Sequence, residues 1–231
     1  MLDSESLPNE MARYYDARAS QYDASMQYDN PEVVARHRAV IDQLKLWFAD
    51  RTVLEIACGP GFWTSHFAPV TRHVLATDVN ESTLAEARKK IYPSGRVEFR
   101  VGDAYALDGL SGTRFDAAFA GDWWSHIPKS RVHDFLSALT RCLAPGARVA
   151  FTDQLPNERS YRDGSYFDTE GNHIQRRALS GGDSAHYEVI KNFPTESDLC
   201  GAVAPFANPA PGSILYQTFP ECRRWLLCFA L

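Results

Sequence analysis

The residues best placed to do chemistry begin at Val53–Gly61, VLEIACGPG, where an apolar run meets a glycine-rich turn and then a helical stretch. Glycines there let a ligand approach the backbone, and the following helix start offers free N–H groups. That combination suits a nucleotide-like ligand. The dinucleotide fingerprint G-x-G-x-x-G requires a third small residue, and Thr64 stands at that position. Glu55 lies inside the apolar run, where a carboxylate can pair with a cation or order the loop but would face a pyrophosphate badly. Further along, Asp78 ends a second apolar run, Gly102-Asp103-Ala104 follows a third, and Gly121-Asp122-Trp123-Trp124-Ser125-His126 follows a fourth. A positioned histidine can take a proton from an oxygen or nitrogen nucleophile, and Asp122 is either its rival or a contact to a ligand's amino group. The competing reading of His126 is a ring that only hydrogen-bonds a loop.

These residues need a scaffold that brings strand ends together. From Arg51 onward the apolar stretches TVLEIA, HVLATD, RVEFRV, FDAAFA and ARVAFTD alternate with helical ones, a pattern that implies a parallel sheet with helices on both faces. The predicted helices span Gly61–Ala68, Glu81–Ile91 capped by Asn80, and Ser130–Leu143 stopped by Pro145-Gly146. Two more, Leu7–Ser20 and Pro31–Phe48, precede the first strand. After the fifth strand, HIQRRAL and AHYEVIKNF flank SGGDS as a hairpin, and a helix follows from Glu196 capped by Thr195. SILYQTF and RRWLLCFAL are joined so tightly that only antiparallel pairing is possible.

Taken together, these segments resemble the class I S-adenosylmethionine-dependent methyltransferases of small-molecule type. The first motif of that family reads [VIL]-L-[DE]-x-[GA]-C-G-x-G, and the later landmarks recur in order over Tyr14–Asp153 and the terminal hairpin. The resemblance implies a Rossmann-like, doubly wound α/β sheet of seven strands in the order 3-2-1-4-5-7-6, the last antiparallel. It implies S-adenosylmethionine as cofactor, with Asp78 on the ribose hydroxyls, Asp103 near the adenine amino group and Gly121 beneath the methionine moiety. Glu55, Ala57, Gly59, Gly61, Val79 and Ala104 enter the cofactor set by the same match. The start YYDARASQYDA resembles the amino-terminal cap of small-molecule members, in which aromatic residues such as Tyr14, Tyr15 or Tyr22 cover the cofactor; aromatic faces suit a sulfonium cation. The bland reading is that these tyrosines pack the first helix.

The expected arrangement is a single domain over 1–231, with cap helices in 1–48 and a substrate lid in 154–194. Trp123, Trp124, Tyr161, Tyr166 and Arg176 are the predicted acceptor contacts, with His126 as catalytic base. For the arginines, a hairpin face turned to water is the competing reading. The implied reaction is methyl transfer to O, N or C of a small aromatic or hydrophobic metabolite. The alternatives are an NAD-dependent oxidoreductase, disfavoured by Thr64 and Glu55, and a non-catalytic S-adenosylmethionine-binding regulator.

Composition narrows the partners. The 231 residues carry 24 Lys plus Arg against 29 Asp plus Glu, a net charge of -5, without basic runs. No electrostatic footprint for nucleic acid results. An NPPY-like tetrapeptide, the amine-methylating signature of many DNA and glutamine methyltransferases, is absent after the fourth strand. The longest apolar run, Trp225–Leu231, is far short of a bilayer span, and MLDSESLPNE lacks a signal-peptide pattern, so a cytoplasmic protein is expected. Five cysteines without a CxxC pair read as reduced packing residues. The His and Asp residues follow no metal-ligand spacing, so no metal is expected.

Overall fold

The structure is a computed structural model describing residues 6–107, 109–110, 114–161, 163–179 and 186–231. Four helices, α1 (Ser6–Arg18), α2 (Tyr22–Met26), α3 (Pro31–Arg36) and α4 (Arg38–Phe48), precede β1 (Thr52–Ile56). Then come α5 (Phe62–Phe67), β2 (His73–Asp78), α6 (Glu81–Ala87), β3 (Val97–Val101), β4 (Phe115–Gly121), α7 (Val132–Arg141) and β5 (Leu143–Gln154). The remaining elements are β6 (Tyr166–Phe167), β7 (His173–Ala178), β8 (His186–Ile190), α8 (Glu196–Val203), β9 (Ile214–Phe219) and β10 (Arg224–Ala230).

Seven strands form one sheet in the order β3-β2-β1-β4-β5-β10-β9. Counted within that sheet alone, this is the expected 3-2-1-4-5-7-6. β1 to β5 are mutually parallel neighbours, and β10 runs antiparallel to β5 and β9. The central strands are apolar on both faces because helices cover both. Leu54, Ala118, Val149 and Phe151 pack toward Phe135 and Leu139 of α7. Their chain neighbours Val53, Ala117, Phe119 and Ala150 pack toward Leu44 and Phe48 of α4 and Phe67 of α5.

β6, β7 and β8 make a separate antiparallel sheet. α1 docks on it: Leu7, Met11 and Tyr14, spaced i, i+4, i+7, share a buried cluster with Ile174, Val189 and Ile190. One helical stripe thereby clamps the hairpin over the main sheet.

Several local expectations change. The helix predicted over Pro31–Phe48 is interrupted at His37, whose Nδ1 lies 2.8 Å from the Val33 carbonyl. Asn80 does not cap α6; its side-chain amide donates to the Ala12 carbonyl of α1 instead, at 3.0 Å. Pro145-Gly146 does not end α7 but lies within β5, where Gly146 takes φ +74° and the register with β4 shifts. Thr195 does cap α8, in a reciprocal box with Asp198. The SGGDS turn at 180–184 lies outside the described residues. The five cysteines are unpaired, and no described helix is long and apolar enough to cross a membrane.

Candidate active site

The carboxyl ends of β1, β2 and β4 open into a cavity of about 200 Å³, roofed by α1 and the segment around α2. Ligands bind at this edge of open α/β sheets. On the cavity wall the backbone turns sharply: Ala57 has φ +51° and Gly59 φ +57°, and a Cβ built on Gly59 would meet no protein atom within 4 Å. The turn therefore presents bare backbone to the cavity. Gly61, at φ +80°, begins α5 and does not line it.

Asp78 holds this end together. Its Oδ2 accepts the Gly59 N–H and its Oδ1 the Asn80 N–H, both at 3.0 Å. Burial pushes its carboxyl up to about 6, against the pull of those N–H groups. Glu55 is also buried but faces away from the cavity, where it accepts the Thr64 hydroxyl at 2.7 Å. Burial pushes it up to about 8. Thr64, which departs from the dinucleotide pattern, thus ties α5 to β1. Asp103, at the cavity edge, accepts the N–H groups of Tyr105 and Ala106 at 2.7 and 2.9 Å.

Past β4, Asp122 takes φ +58° and meets Arg224 in a two-pronged ion pair of 2.8 and 2.9 Å. It also accepts the Trp63 indole N–H at 3.3 Å and the Gln154 amide at 3.3 Å. Asp122 is consequently an anchored counter-ion, not the free rival base that its position beside His126 suggested. Gly121 cannot carry a side chain, since a Cβ would sit 2.5 Å from Cδ1 of Trp63. Tyr28 stacks on Phe62 with centroids 3.7 Å apart and lines the cavity beside the pair.

At the other end of the cavity lies His126. Its Nδ1 is 2.5 Å from the Ile190 carbonyl, which can only accept, so Nδ1 carries the proton and Nε2 a lone pair. Nε2 accepts from the Tyr15 hydroxyl at 2.9 Å. Tyr15 in turn receives the Arg177 guanidinium at 3.4 Å. Burial, then Lys191 and Arg177, pull His126 down to about 3, so the ring is neutral near pH 7. Lys191 is itself buried, bonded to Asp153 at 3.0 Å and the Ser125 hydroxyl at 2.7 Å. Burial opposes ionisation of Asp153, but Lys191 and its other partners hold it below the usual carboxylate range. Burial raises the Tyr15 and Tyr22 phenols, leaving both as neutral donors.

Of the residues expected from sequence, Tyr22, Ala57, Gly59, Asp78, Val79, Asp103, Ala104, Gly121, Trp123 and His126 line this cavity. Tyr14 does not: it sits in the cluster under β7 and β8, because its place on the α1 stripe turns it toward Ile174. Trp124 is buried against Phe151 and Trp225 and borders a second cavity together with Tyr161. Tyr166 donates to Glu188 at 3.0 Å, and the exposed Arg176 pairs with the same carboxylate. Strand alternation gives the inward position to Arg177 instead. Sequence reasoning missed Tyr28, Thr83, Lys191 and Arg224, took Asn80 only as a helix cap, and weighed Arg177 together with Arg176 without singling it out. The available signals were charged residues at or inside apolar strands, Lys191 in VIKNF and Arg224 before WLLCFAL.

Comparison with known proteins agrees with this geometry. Residues 53–146 match the family model described as a methyltransferase domain. A probable S-adenosylmethionine-dependent methyltransferase of Mycolicibacterium smegmatis is 30% identical over 164 residues, 71% of this chain and 60% of that protein. A ubiquinone biosynthesis O-methyltransferase of Aromatoleum aromaticum is 26% identical over 114 residues, 49% of this chain and 48% of that protein. The chain thus spans 48 to 60% of the length of these two curated relatives. The solved DhpI-SAM-HEP complex superposes over 100% of both chains with a TM-score of 0.76 at 27% identity. The sheet order, the glycine turn facing Asp78 and these likenesses agree: residues 53–146 carry a methyltransferase domain, and the chain is similar to S-adenosylmethionine-dependent methyltransferases of class I.

Proposed function

We propose that this chain transfers the methyl group of S-adenosylmethionine to a small-molecule acceptor whose attacking atom lies at the His126 end of the cavity. The observation that carries the reading is that one cavity joins the Gly59–Asp78 turn to the Tyr15–His126 pair. The residues present fit the cofactor. Besides the open backbone at Gly59, two buried polar atoms of the cavity-lining residues, Thr83 Oγ1 and Trp123 Nε1, have no hydrogen-bond partner among the described residues. Such groups ask for a polar ligand. Bound there, S-adenosylmethionine supplies a methyl group on a positively charged sulfur, an electrophile that needs only an aligned nucleophile.

The chain's own residues do the positioning. Asp78 has the lone pairs to accept ribose hydroxyls beside Gly59, and Asp103, which also lines the cavity, would face the adenine end. The rings of Tyr15, Tyr22 and Tyr28 exclude water, which strengthens the electrostatics inside. His126 offers Nε2 as an acceptor, yet burial, Lys191 and Arg177 all penalise an imidazolium. A strong base role is thereby disfavoured, and the same cations favour an acceptor whose attacking oxygen arrives already ionised. The O-methyltransferase relatives support oxygen as the attacked atom.

Isothermal titration with S-adenosylhomocysteine, with NAD as control, tests the cofactor; NAD binding in its place would sink the reading. Labelled S-adenosylmethionine offered with phenolic, carboxylic and phosphorylated small molecules tests the acceptor. Binding without turnover on any of them or on source extract would favour a non-catalytic regulator.

A further inference from the structure

A second cavity, of about 350 Å³, shares no lining residue with the first. The segment after β4 divides between them: Trp123, His126 and Pro128 line the first, while Trp124, Ile127 and Lys129 line the second. Around the second, the rings of Tyr161, Phe167 and Phe193 have centroids 5.0, 5.2 and 6.0 Å from the imidazole of His173. Two of these rings are left largely to solvent, Tyr161 at 56% exposure and Phe167 at 62%. His173 is only 2% exposed.

The tautomer of the neutral His173 ring follows from its bonds. Nδ1 lies 2.9 Å from the Lys191 carbonyl, which can only accept, so in the neutral ring Nδ1 bears the proton and Nε2 the lone pair. Nε2 is buried and has no partner among the described residues. A buried acceptor left open costs free energy that a donor from a ligand recovers. The surrounding rings favour a flat aromatic body stacked or edged against them. Charge argues against a cation: Lys129 lines the cavity, Lys191 Nζ stands 5.9 Å from the Phe193 ring, and the lining carboxylate Asp198 is engaged in the cap of α8.

We propose that this cavity is a second binding site, for a neutral, planar molecule of one or two aromatic rings carrying an N–H or O–H donor. The ligand donates to Nε2 of His173 and lies among Tyr161, Phe167 and Phe193. Two successive carbonyls link the cavities, since Ile190 O accepts from His126 and Lys191 O from His173. The two imidazoles are thus anchored on neighbouring residues of the same segment.

The test is calorimetric titration of the whole protein with indole, with benzofuran, which has the same shape without the donor, and with benzylammonium. Each is run with and without saturating S-adenosylhomocysteine. Indole is expected to bind at one site about 10-fold or more tightly than benzofuran, and within about 3-fold as tightly when S-adenosylhomocysteine is present. His173→Phe should bring the indole-to-benzofuran ratio to about 2-fold or less. Phe167→Ala and Tyr161→Ala, at exposed rings where folding is not at stake, should each weaken indole about 5-fold or more. If His173→Phe does not fold, the wild-type ratio and the two ring variants decide. Equal binding of indole and benzofuran, preference for benzylammonium, loss of the indole site on adding S-adenosylhomocysteine, or no saturable indole binding would each overturn the proposal.

Discussion

The Tyr15 hydroxyl of α1 lies 2.9 Å from Nε2 of His126, 111 positions along the chain. This bond ties the amino-terminal cap to the loop after β4 and closes that end of the cavity. Tyr15→Phe removes the only O–H in the contact and leaves a buried lone pair on His126. Acceptor kcat/KM is expected to fall about 10-fold, with S-adenosylhomocysteine affinity unchanged within about 3-fold. Steady-state kinetics beside calorimetry separate the two, and equal losses in both would place Tyr15 on the cofactor instead.

Asp78 should make cofactor binding pH-dependent. Its carboxyl is pushed up to about 6 by burial, and only the ionised form accepts from two hydroxyls. Affinity is therefore expected to rise with pH through about 6 and then level. Folding responds in the opposite sense: the folded pKa is raised, so this group's stabilising contribution is complete below about 3.8 and lost as pH rises through about 6. Asp78→Asn should flatten the binding profile and weaken affinity about 10- to 150-fold, corresponding to roughly 1.5–3 kcal/mol. A wild-type profile without a rise between pH 5 and pH 7 would remove the carboxylate from the contact.

His126 should show no titration of activity near the ordinary histidine value. Because burial, Lys191 and Arg177 lower its pKa to about 3, the unfolded chain binds the extra proton between about 3 and 6.5. Its effect on stability therefore grows more favourable as pH rises across that window and is constant above it. At saturating cofactor, kcat is expected to be level from about pH 6.5 to 8.5. His126→Ala should act mainly on the acceptor KM and lower kcat by less than about 10²-fold, the lower bound for a lost general base. A histidine limb near 6.5 together with a larger kcat loss would restore the base role.

Gly59→Val should abolish cofactor binding. The new Cβ meets no protein atom but stands in the cavity, and φ +57° strains a β-branched residue. Stability should also fall, by about 1–3 kcal/mol. Thermal melting and calorimetry check both halves, and retained binding would move the ligand away from the turn.

Asp122→Ala should be the most destabilising of these changes. It leaves Arg224, whose side chain is 2% exposed, as a buried charge without its carboxylate partner. The cost of breaking such a pair is about 3–5 kcal/mol, or a fall in melting temperature of roughly 6–20 °C for a chain of this size. An unchanged melting temperature would show that Arg224 finds another partner.

Local sequence was sufficient wherever one element carried the information. The alternating apolar runs predicted the parallel sheet because the central strands β1, β2 and β4 bury both faces. The tight connection between β9 and β10 left only antiparallel pairing, and the glycine turn and Asp78 at the end of β2 both line the cavity that the sequence motif pointed to. What the sequence could not decide were relations across the chain. Whether Arg176 or Arg177 faces inward depends on the register of β7 against β8, and that register turns Arg177 toward Tyr15. Asp122 looked like a base until β10 brought Arg224 onto it. Tyr14 and Tyr15 are adjacent in sequence, yet the docking of α1 sends one into the hairpin core and the other to His126. The ordinary pKa of histidine was known from its type alone; its displacement to about 3 comes from burial first, then from Lys191 and Arg177. Periodicity and turn chemistry are local and legible, whereas pairing, burial and electrostatic environment exist only once distant segments meet.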